Sequence, residues 1–369
     1  MTGEMTVMLA AGGTGGHLFP AFALAEELAG RGIAVDLITD MRGDRYGAGF
    51  PARAVYQVPA ATLASRTPVA ATKTALALAR GTKSAYAILG KVKPSVVVGF
   101  GGYPTYPPLL AARFRKIPTA LHEQNAVLGR ANRLLAKRVT AIATSFERTK
   151  YLDDSLISKS RFTGNPVRTA VIAASARQFE SISPSGRIRI LVFGGSQGAR
   201  YFSDTVPPAL AALAPDLKSR LQVVQQAREE DLDRVQQAYT QSGISAEVAP
   251  FFKDLPERIA CAHLIIGRAG ASTVAELTVI GRPSLLVPLP HSLDNDQLNN
   301  ARRLAESGGG WCIEQKDLSV ARLTSEITDL ITNPHTLAAA AEAAKRSGRP
   351  DAVARLADFV LELARGSKV

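Results

Sequence analysis

Ala11-Gly12-Gly13-Thr14-Gly15-Gly16-His17 follows the apolar run Val7-Met8-Leu9-Ala10 and leads into Leu18-Phe19-Pro20-Ala21-Phe22-Ala23-Leu24-Ala25. A short buried strand, four glycines around one hydroxyl, and then a helix have the anatomy of an anion cradle. Bare backbone N–H groups face a ligand there, and the helix N-terminus adds about half a positive charge. Glycine suits the turn because it reaches positive φ and lets a ligand approach the main chain closely. The dinucleotide fingerprint does not fit, since G-x-G-x-x-G from Gly13 requires glycine or alanine at Leu18. A Walker A loop does not fit either, because no Gly-Lys-Ser/Thr closes the run. His17, near a helix start, can serve as a base, although a lone histidine is commonly structural.

The same grammar recurs along the chain. Short apolar runs at Thr6–Ala10, Ala34–Ile38, Val96–Phe100, Thr119–Leu121 and Ala141–Ala143 are separated by helical patterns, which predicts a parallel sheet covered on both faces. After Gly164-Asn165-Pro166-Val167 and the polar stretch Ser181–Gly186, a second series opens at Ile188–Phe193. It continues at Leu221–Val224, Ala246–Ala249, Leu264–Ile266 and Leu285–Val287. Two doubly wound α/β halves are therefore expected, meeting near residues 164–187, with ligands beyond the carboxyl ends of the strands. A break at Ser347-Gly348-Arg349-Pro350 precedes a helical tail, Asp351–Arg365, which could complete the second half or cross back to the first.

A length of 369 residues suits two cores, and 46% hydrophobic with 21% charged residues is ordinary for globular domains. The two cysteines, Cys261 and Cys312, have neither metal-ligand spacing nor a partner framework, so a reducing compartment is expected. No basic leader precedes an apolar core, and no run of about eighteen apolar residues occurs, so a cytoplasmic protein that does not span the membrane is expected. The charge is less ordinary, with 44 Lys+Arg against 32 Asp+Glu, a net +12. Such a surplus favours polyanions, phosphorylated ligands or anionic lipid. Nucleic acid ranks below the other two, because aromatics are only 6% and no reader module is present. From Thr72 to Lys93, Lys73, Arg80, Lys83, Lys91 and Lys93 alternate with Leu76, Leu78, Ala79, Ala85, Ile88 and Leu89. This basic amphipathic stretch either lies on an anionic membrane or packs by its apolar face with solvated lysines opposite. Gly81 is expected to interrupt it.

Three further glycine-rich strand ends stand at Gly99-Phe100-Gly101-Gly102-Tyr103-Pro104, Gly194-Gly195-Ser196-Gln197-Gly198 and Gly267-Arg268-Ala269-Gly270-Ala271-Ser272-Thr273. Several such termini suit a ligand with two phosphates, or two phosphorylated ligands. Glu276, one turn inside its helix, can accept both ribose hydroxyls or simply match the helix dipole. Arg168 can clamp a diphosphate or remain a solvated linker residue. His122-Glu123-Gln124-Asn125 follows a strand, so its side chains are expected to project towards ligand rather than core. Pro288-Leu289-Pro290-His291 leads into Asp294, Asp296, Gln297, Asn299 and Asn300, amide-rich enough to read sugar hydroxyls, or else a surface turn. Gly194–Gly198 also matches G-x-S-x-G, the nucleophile elbow, with Asp254 or Asp294 and His263 or His291 downstream of Ser196. That hydrolase alternative leaves the 12–17 loop and the first half without a role. A non-enzymatic module that binds nucleotide sugars or nucleic acid is the remaining alternative class.

GGTGGH at 12–17, GFGGYP at 99–104, HEQN at 122–125, GNPVR at 164–168, GGSQGA at 194–199 and the Gly270–Glu276 loop stand in order from residue 6 to about residue 300. Together they resemble the family of N-acetylglucosaminyltransferases of peptidoglycan synthesis. The resemblance implies a GT-B fold of two Rossmann-like parallel-sheet domains facing each other across a cleft. The N-terminal, acceptor- and membrane-facing domain would span 1–164 with a helix 351–369 packed back on it, and the UDP-sugar domain 165–347. It implies an inverting transfer from UDP-N-acetylglucosamine to undecaprenyl-diphospho-muramoyl-pentapeptide, or in another branch of the fold to a different lipid or small-molecule acceptor. No tightly bound metal and no nucleic acid would be involved, and the enzyme would sit peripherally on the inner face of the cell membrane.

Donor contacts implied by position are Thr14, Gly15, Gly16, Asn125, Arg168, Ser196, Phe252, Ala271, Ser272, Thr273, Val274, Ala275, Glu276 and Gln297. Among these, Glu276 would take the ribose, Phe252 the uracil neighbourhood, Arg168 and Ser196 the diphosphate and Gln297 the sugar. His17 would be the catalytic base with Glu123 behind it, and Lys73, Leu76, Arg80 and Lys83 would meet the anionic membrane. Phe252 stands where the family frequently has an aliphatic residue, and Ser292–Asn300 is one residue longer than the family pattern.

Overall fold

The computed structural model describes residues 5–12, 15–40, 49–60, 68–194 and 199–367. It forms two compact units, residues 1–168 with 350–369, and 169–349.

Unit 1 is built on a parallel sheet of β1 (Thr6–Ala10), β2 (Ala34–Thr39), β3 (Ala54–Gln57), β4 (Val96–Gly99), β5 (Thr119–Glu123), β6 (Ala141–Thr144) and β7 (Ser160–Phe162). The order across the sheet is β3-β2-β1-β4-β5-β6-β7. Alternation along each strand assigns the faces. Val7 and Leu9, Val96 and Val98, and Ala141 and Ala143 enter one core, while Met8, Val97 and Ile142 enter the other. Both faces are covered, which is why these strands read as unbroken apolar runs. The first core is closed by the helices Gly15–Gly30 and Ala352–Ala364. The second is closed by Pro68–Val92, Tyr106–Phe114 and Arg130–Ala136.

The C-terminal helix returns to unit 1 because Leu356, Phe359, Val360 and Leu363 fall on one stripe and are buried in the first core. Each such side chain stabilises the docking by about 1.5–3 kcal/mol. Polar ties fix the orientation: Arg161 Nη1 pairs with Glu362 at 2.7 Å, and Arg355 Nη2 donates to the Phe162 carbonyl at 2.8 Å. The helix Pro68–Val92 runs without a break through Gly81, contrary to the expectation of an interruption. Glycine stands there for packing, since a Cβ would lie 2.1 Å from the Pro59 carbonyl oxygen. No helix among the described residues is long and apolar enough to cross a membrane.

Unit 2 repeats the design with β8 (Ile188–Phe193), β9 (Leu221–Gln226), β10 (Ser245–Ala249), β11 (Leu264–Gly267), β12 (Ser284–Leu286) and β13 (Gly310–Cys312). These parallel strands run in the order β10-β9-β8-β11-β12-β13. Ile188, Ile190 and Val192 meet Phe202, Val206 and Leu210 of helix Ala199–Ala211, with Leu323 and Ile327 of helix Val320–Ile331. Arg282 is buried and ties the segment after the break between units to this core. Its guanidinium donates to the carbonyls of Arg177 and Gln178 as well as those of Ala260, Ile280 and Gly281.

Candidate functional site

In each sheet the strand order reverses at one place. In unit 1 the chain leaves β1 towards β2 and later returns to β4 on the other side; in unit 2 it leaves β8 towards β9 and returns to β11. Loops leaving two such strands diverge, so a crevice opens beyond their carboxyl ends. All four glycine-rich runs have described residues at these ends: Gly12 after β1, Gly101 and Gly102 after β4, Gly194 after β8 and Gly270 after β11.

In unit 1 the His17 imidazole rests against Gly101 and Gly102, which have φ of +90° and +72°. A Cβ at Gly101 would come within 3.2 Å of His17 Cε1, and one at Gly102 within 3.4 Å of Cδ2. Positive φ and the ring together require glycine at both positions. His17 Nδ1 lies 3.0 Å from Gln124 Oε1. Gln124 Nε2 lies 2.9 Å from His122 Nδ1 and donates to the His122 carbonyl at 2.9 Å. His122 Nε2 lies 3.1 Å from the Gly164 carbonyl and 3.4 Å from Ser145 Oγ. Burial pushes the His122 imidazole down to about 4, against the pull of its bond to Gly164.

The sequence expectation that 122–124 project away from the core is corrected here. Strand β5 extends through Glu123, and His122, Glu123 and Gln124 are all buried. Internal hydrogen bonds make that burial possible. Glu123 is not hydrogen-bonded to His17. Its Oε1 accepts from Asn125 N at 2.9 Å and Asn125 Nδ2 at 3.3 Å, and its Oε2 accepts from Gly129 N at 2.9 Å and Asn132 Nδ2 at 2.7 Å. Burial raises its carboxyl above the ordinary value, while those donors and the nearby His17 oppose the rise. The Arg168 guanidinium sits 5.6 Å from the centre of the half-exposed Phe19 ring. Gly15 and Gly16 open the first helix, and Thr14 lies outside the described residues.

In unit 2 the helix Ala271–Ile280 starts at Gly270 without a side-chain cap, so its first-turn amides point out beyond β11. Ser272 Oγ is buried without a hydrogen-bond partner at the same end. Val274 and Glu276 are buried, whereas Ala271, Ser272, Thr273 and Ala275 are half-buried. Gln297 Oε1 accepts from Ala269 N at 3.3 Å and Leu289 N at 3.0 Å, which clasps the ends of β11 and β12 and leaves its NH2 to donate elsewhere. Asn300 reinforces the clasp through the Ala269 carbonyl at 3.1 Å. His291, Asp294 and Asn295 just before it have φ of +58°, +56° and +55°, a cluster of left-handed residues that marks a constrained loop. Phe252 is buried under Arg258, whose guanidinium carbon is 4.4 Å from the ring centre, while neighbouring Phe251 is exposed. Ser196 lies outside the described residues.

Three side chains that shape these strand ends escape the candidate set drawn from the sequence. Gln124 was visible in HEQN but carried no separate role. Asn132, in the middle of a helix, gave no signal. Arg268, six residues of chain before Val274, is a buried cation held by uncharged acceptors: it donates to the Val287 and Pro288 carbonyls and to Gln315 Oε1 at 2.7 Å. Burial lowers its guanidinium to about 10. The hydrolase alternative fails on geometry for one of its two histidines. His263 bonds to Arg189 N at the amino end of β8, whereas Ser196 follows the carboxyl end.

On the surface of unit 1, Lys73, Leu76, Arg80 and Lys83 are all exposed along the Pro68–Val92 helix, at spacings that share a side. Leu78, Ala79 and Tyr86 line an apolar groove with Tyr106, Leu110 and Phe114 of the neighbouring helix. Phe114 is 61% exposed and Leu76 is 52% exposed.

Comparison with known proteins agrees with this arrangement. The glycosyltransferase family 28 N-terminal domain matches residues 7–144 and its C-terminal domain matches residues 189–356. A UDP-N-acetylglucosamine–N-acetylmuramyl-(pentapeptide) pyrophosphoryl-undecaprenol N-acetylglucosamine transferase of Chelativorans sp. (strain BNC1) is 52% identical, covering 99% of this chain and 96% of its own. The enzyme of that name from Rhodopseudomonas palustris (strain ATCC BAA-98 / CGA009) is 51% identical over 99% of this chain and 100% of its own. Among solved structures, MurG of Acinetobacter baumannii superposes with a TM-score of 0.81 at 28% identity, covering 97% of this chain and 99% of its own. The chain belongs to glycosyltransferase family 28, within its MurG group of GT-B N-acetylglucosaminyltransferases.

Proposed function

We propose that this enzyme moves N-acetylglucosamine from UDP-N-acetylglucosamine to the C4 hydroxyl of undecaprenyl-diphospho-N-acetylmuramoyl-pentapeptide, the conversion of lipid I to lipid II. The observation that carries the reading is His17, held on two obligatory glycines at the strand-order reversal of unit 1, with one ring nitrogen engaged by Gln124. Full-length similarity to enzymes named for this transfer supplies the substrates.

Inverting transfer is a single displacement: the acceptor oxygen attacks the anomeric carbon as its bond to the UDP oxygen breaks. The acceptor proton passes to His17, which acts as general base and contributes about 10²–10⁴ in rate. Glu123, fully engaged by four N–H donors, braces the loop that carries Gln124 and Asn125 rather than taking the proton. Charge developing on the UDP diphosphate would be met by Arg168 and by Thr14, Gly15, Gly16 and Ser196, the positions that the family motifs assign to the donor, with no resident metal required. The first turn Ala271–Ala275, with Glu276 for the ribose, Phe252 beside the uracil and the Gln297 amide for the sugar, completes the donor contacts.

The acceptor is lipid-linked, and the exposed basic and apolar side of the Pro68–Val92 helix suits an anionic membrane surface, which supports a peripheral location on its inner face. The decisive test is turnover of UDP-N-acetylglucosamine with a lipid-linked muramoyl diphosphate acceptor. His17→Ala is expected to lower turnover by at least about 100-fold, with UDP displacing the donor as it does in the parent enzyme. Collapse of donor affinity with surviving turnover would make His17 a binding residue.

A further inference from the structure

We propose that Gln124 and His122 are positioning residues that hold His17 in the one tautomer able to act as a base, with the proton on Nδ1 and the lone pair on Nε2. The inference rests on His17 being the base. The Gly164 carbonyl can only accept, so His122 Nε2, at 3.1 Å, carries the proton and donates it. Ser145 Oγ, at 3.4 Å, is a longer second neighbour of the same nitrogen. His122 is fully buried in contact with Phe100, with ring centres 5.5 Å apart, and stays neutral there. Its Nδ1 is therefore a bare acceptor, and the group facing it at 2.9 Å must be the NH2 of Gln124.

The same NH2 donates to the His122 carbonyl at 2.9 Å. A flipped amide would set its oxygen against both a carbonyl oxygen and an imidazole lone pair, so the amide has one acceptable orientation. Its oxygen then faces His17 Nδ1 at 3.0 Å. An amide oxygen only accepts, so His17 Nδ1 is protonated and, in the neutral ring, Nε2 is not. The polarity of the whole chain, Gly164 to His122 to Gln124 to His17, is set by one backbone carbonyl at its far end.

Free imidazole in water favours the opposite tautomer, with the proton on Nε2, so the relay has a measurable task. In ¹⁵N-histidine spectra at neutral pH, His17 is expected to show a protonated Nδ1 and a bare Nε2, and Gln124→Leu should return it to the Nε2–H form. The same variant should lose about 100-fold in kcat, the low end of a general base's contribution, with KM for UDP-N-acetylglucosamine within about twofold, since uniform binding is untouched. Gln124→Glu keeps an acceptor opposite Nδ1. It should retain the Nδ1–H signal and keep more of kcat than Gln124→Leu does, although its second oxygen loses the donor that met the His122 carbonyl and draws a proton onto His122 Nδ1. A packing role alone would move none of the tautomer signals. An unchanged His17 spectrum in Gln124→Leu overturns the relay, and so does a lost Nδ1–H signal with full turnover. If His17→Ala itself keeps full turnover, the base assignment fails, and the spectra of Gln124→Leu still decide whether the relay exists.

Discussion

Glu123→Gln separates a brace from a base. The carboxylate takes two N–H donors on each oxygen, from Asn125 N and Nδ2 and from Gly129 N and Asn132 Nδ2. Glutamine replaces one oxygen with an NH2, so two of the four donors then face another donor. Hydrogen bonds to a charged group are worth about 1.5–3 kcal/mol each, and two of them come to about 3–6 kcal/mol. Burying a neutral amide instead of a carboxylate returns part of this, leaving a net loss of about 2–4 kcal/mol. The loss should be local, because Gly129 caps the Arg130–Ala136 helix and Asn132 lies within it. Native-state hydrogen exchange read by mass spectrometry should show amides of Asn125–Ala136 losing about 30- to 1,000-fold in protection, since about 1.4 kcal/mol is tenfold. Amides of the Ala271–Ile280 helix should be unchanged. Turnover should fall along with this loosening, because Gln124 loses its footing. Protection that stays within about threefold while kcat drops more than about 100-fold would refute the brace and return the proton-transfer role to Glu123.

Three further outcomes are expected. Arg282→Met strips donors from the buried carbonyls of Ala260, Ile280 and Gly281 and releases the segment at Arg177–Gln178. It should destabilise unit 2 by about 3 kcal/mol or more, read as a lower urea midpoint by fluorescence of Trp311, the chain's one tryptophan, which lies in β13. His263 is pushed down to about 4, mainly by burial, from an ordinary value of 6.5. Below pH 6.5 the unfolded chain takes up a proton that the folded one refuses. Stability of unit 2 should therefore be flat above that pH and fall by up to about 1.4 kcal/mol per unit between pH 6.5 and 4. His263→Gln should remove that part of the slope, by the same fluorescence. Replacing Leu76 and Phe114 with Asp should weaken sedimentation with anionic liposomes by at least about tenfold, while Lys73→Gln with Lys83→Gln should weaken it by about 1 kcal/mol per charge. Unchanged liposome binding in both variants would remove this surface from the membrane assignment.

The strands absent from the sequence series are β3, β7 and β13, and each lies at a sheet edge. Edge position explains the omission. Ala54–Gln57 alternates between half-buried and exposed, and Ser160–Phe162 is half-buried throughout, so neither shows a run of apolar residues. Central strands, covered by helices on both faces, advertise themselves because burial on two sides leaves few polar positions along them. The strand β10 is also an edge, yet Ala246–Ala249 was visible because alanine and valine occupy its covered positions. Gly81 misled for a related reason: a glycine in a helical pattern signals a break only when its space is open, and the loop at Pro59 that fills this space is distant in sequence.

The candidate site divides along the same line. Strand ends with clustered glycines are local signals, and the topological reversals of the two sheets fall at β1/β4 and β8/β11, where those clusters stand. What local sequence could not convey is which polar group meets which. HEQN looked like four ligand-facing residues because polar side chains after a strand are usually exposed. Instead, three of them are buried, since every polar side-chain group of His122, Glu123 and Gln124 finds a partner 2 to 107 residues away. A carboxylate next to a candidate base invites the reading of a catalytic pair, and here the neighbouring amide occupies that place. The choice has a chemical consequence. A carboxylate would hold the same tautomer while raising the affinity of His17 for its proton. An amide holds the tautomer without adding charge beside a substrate whose diphosphates already bring the negative charge.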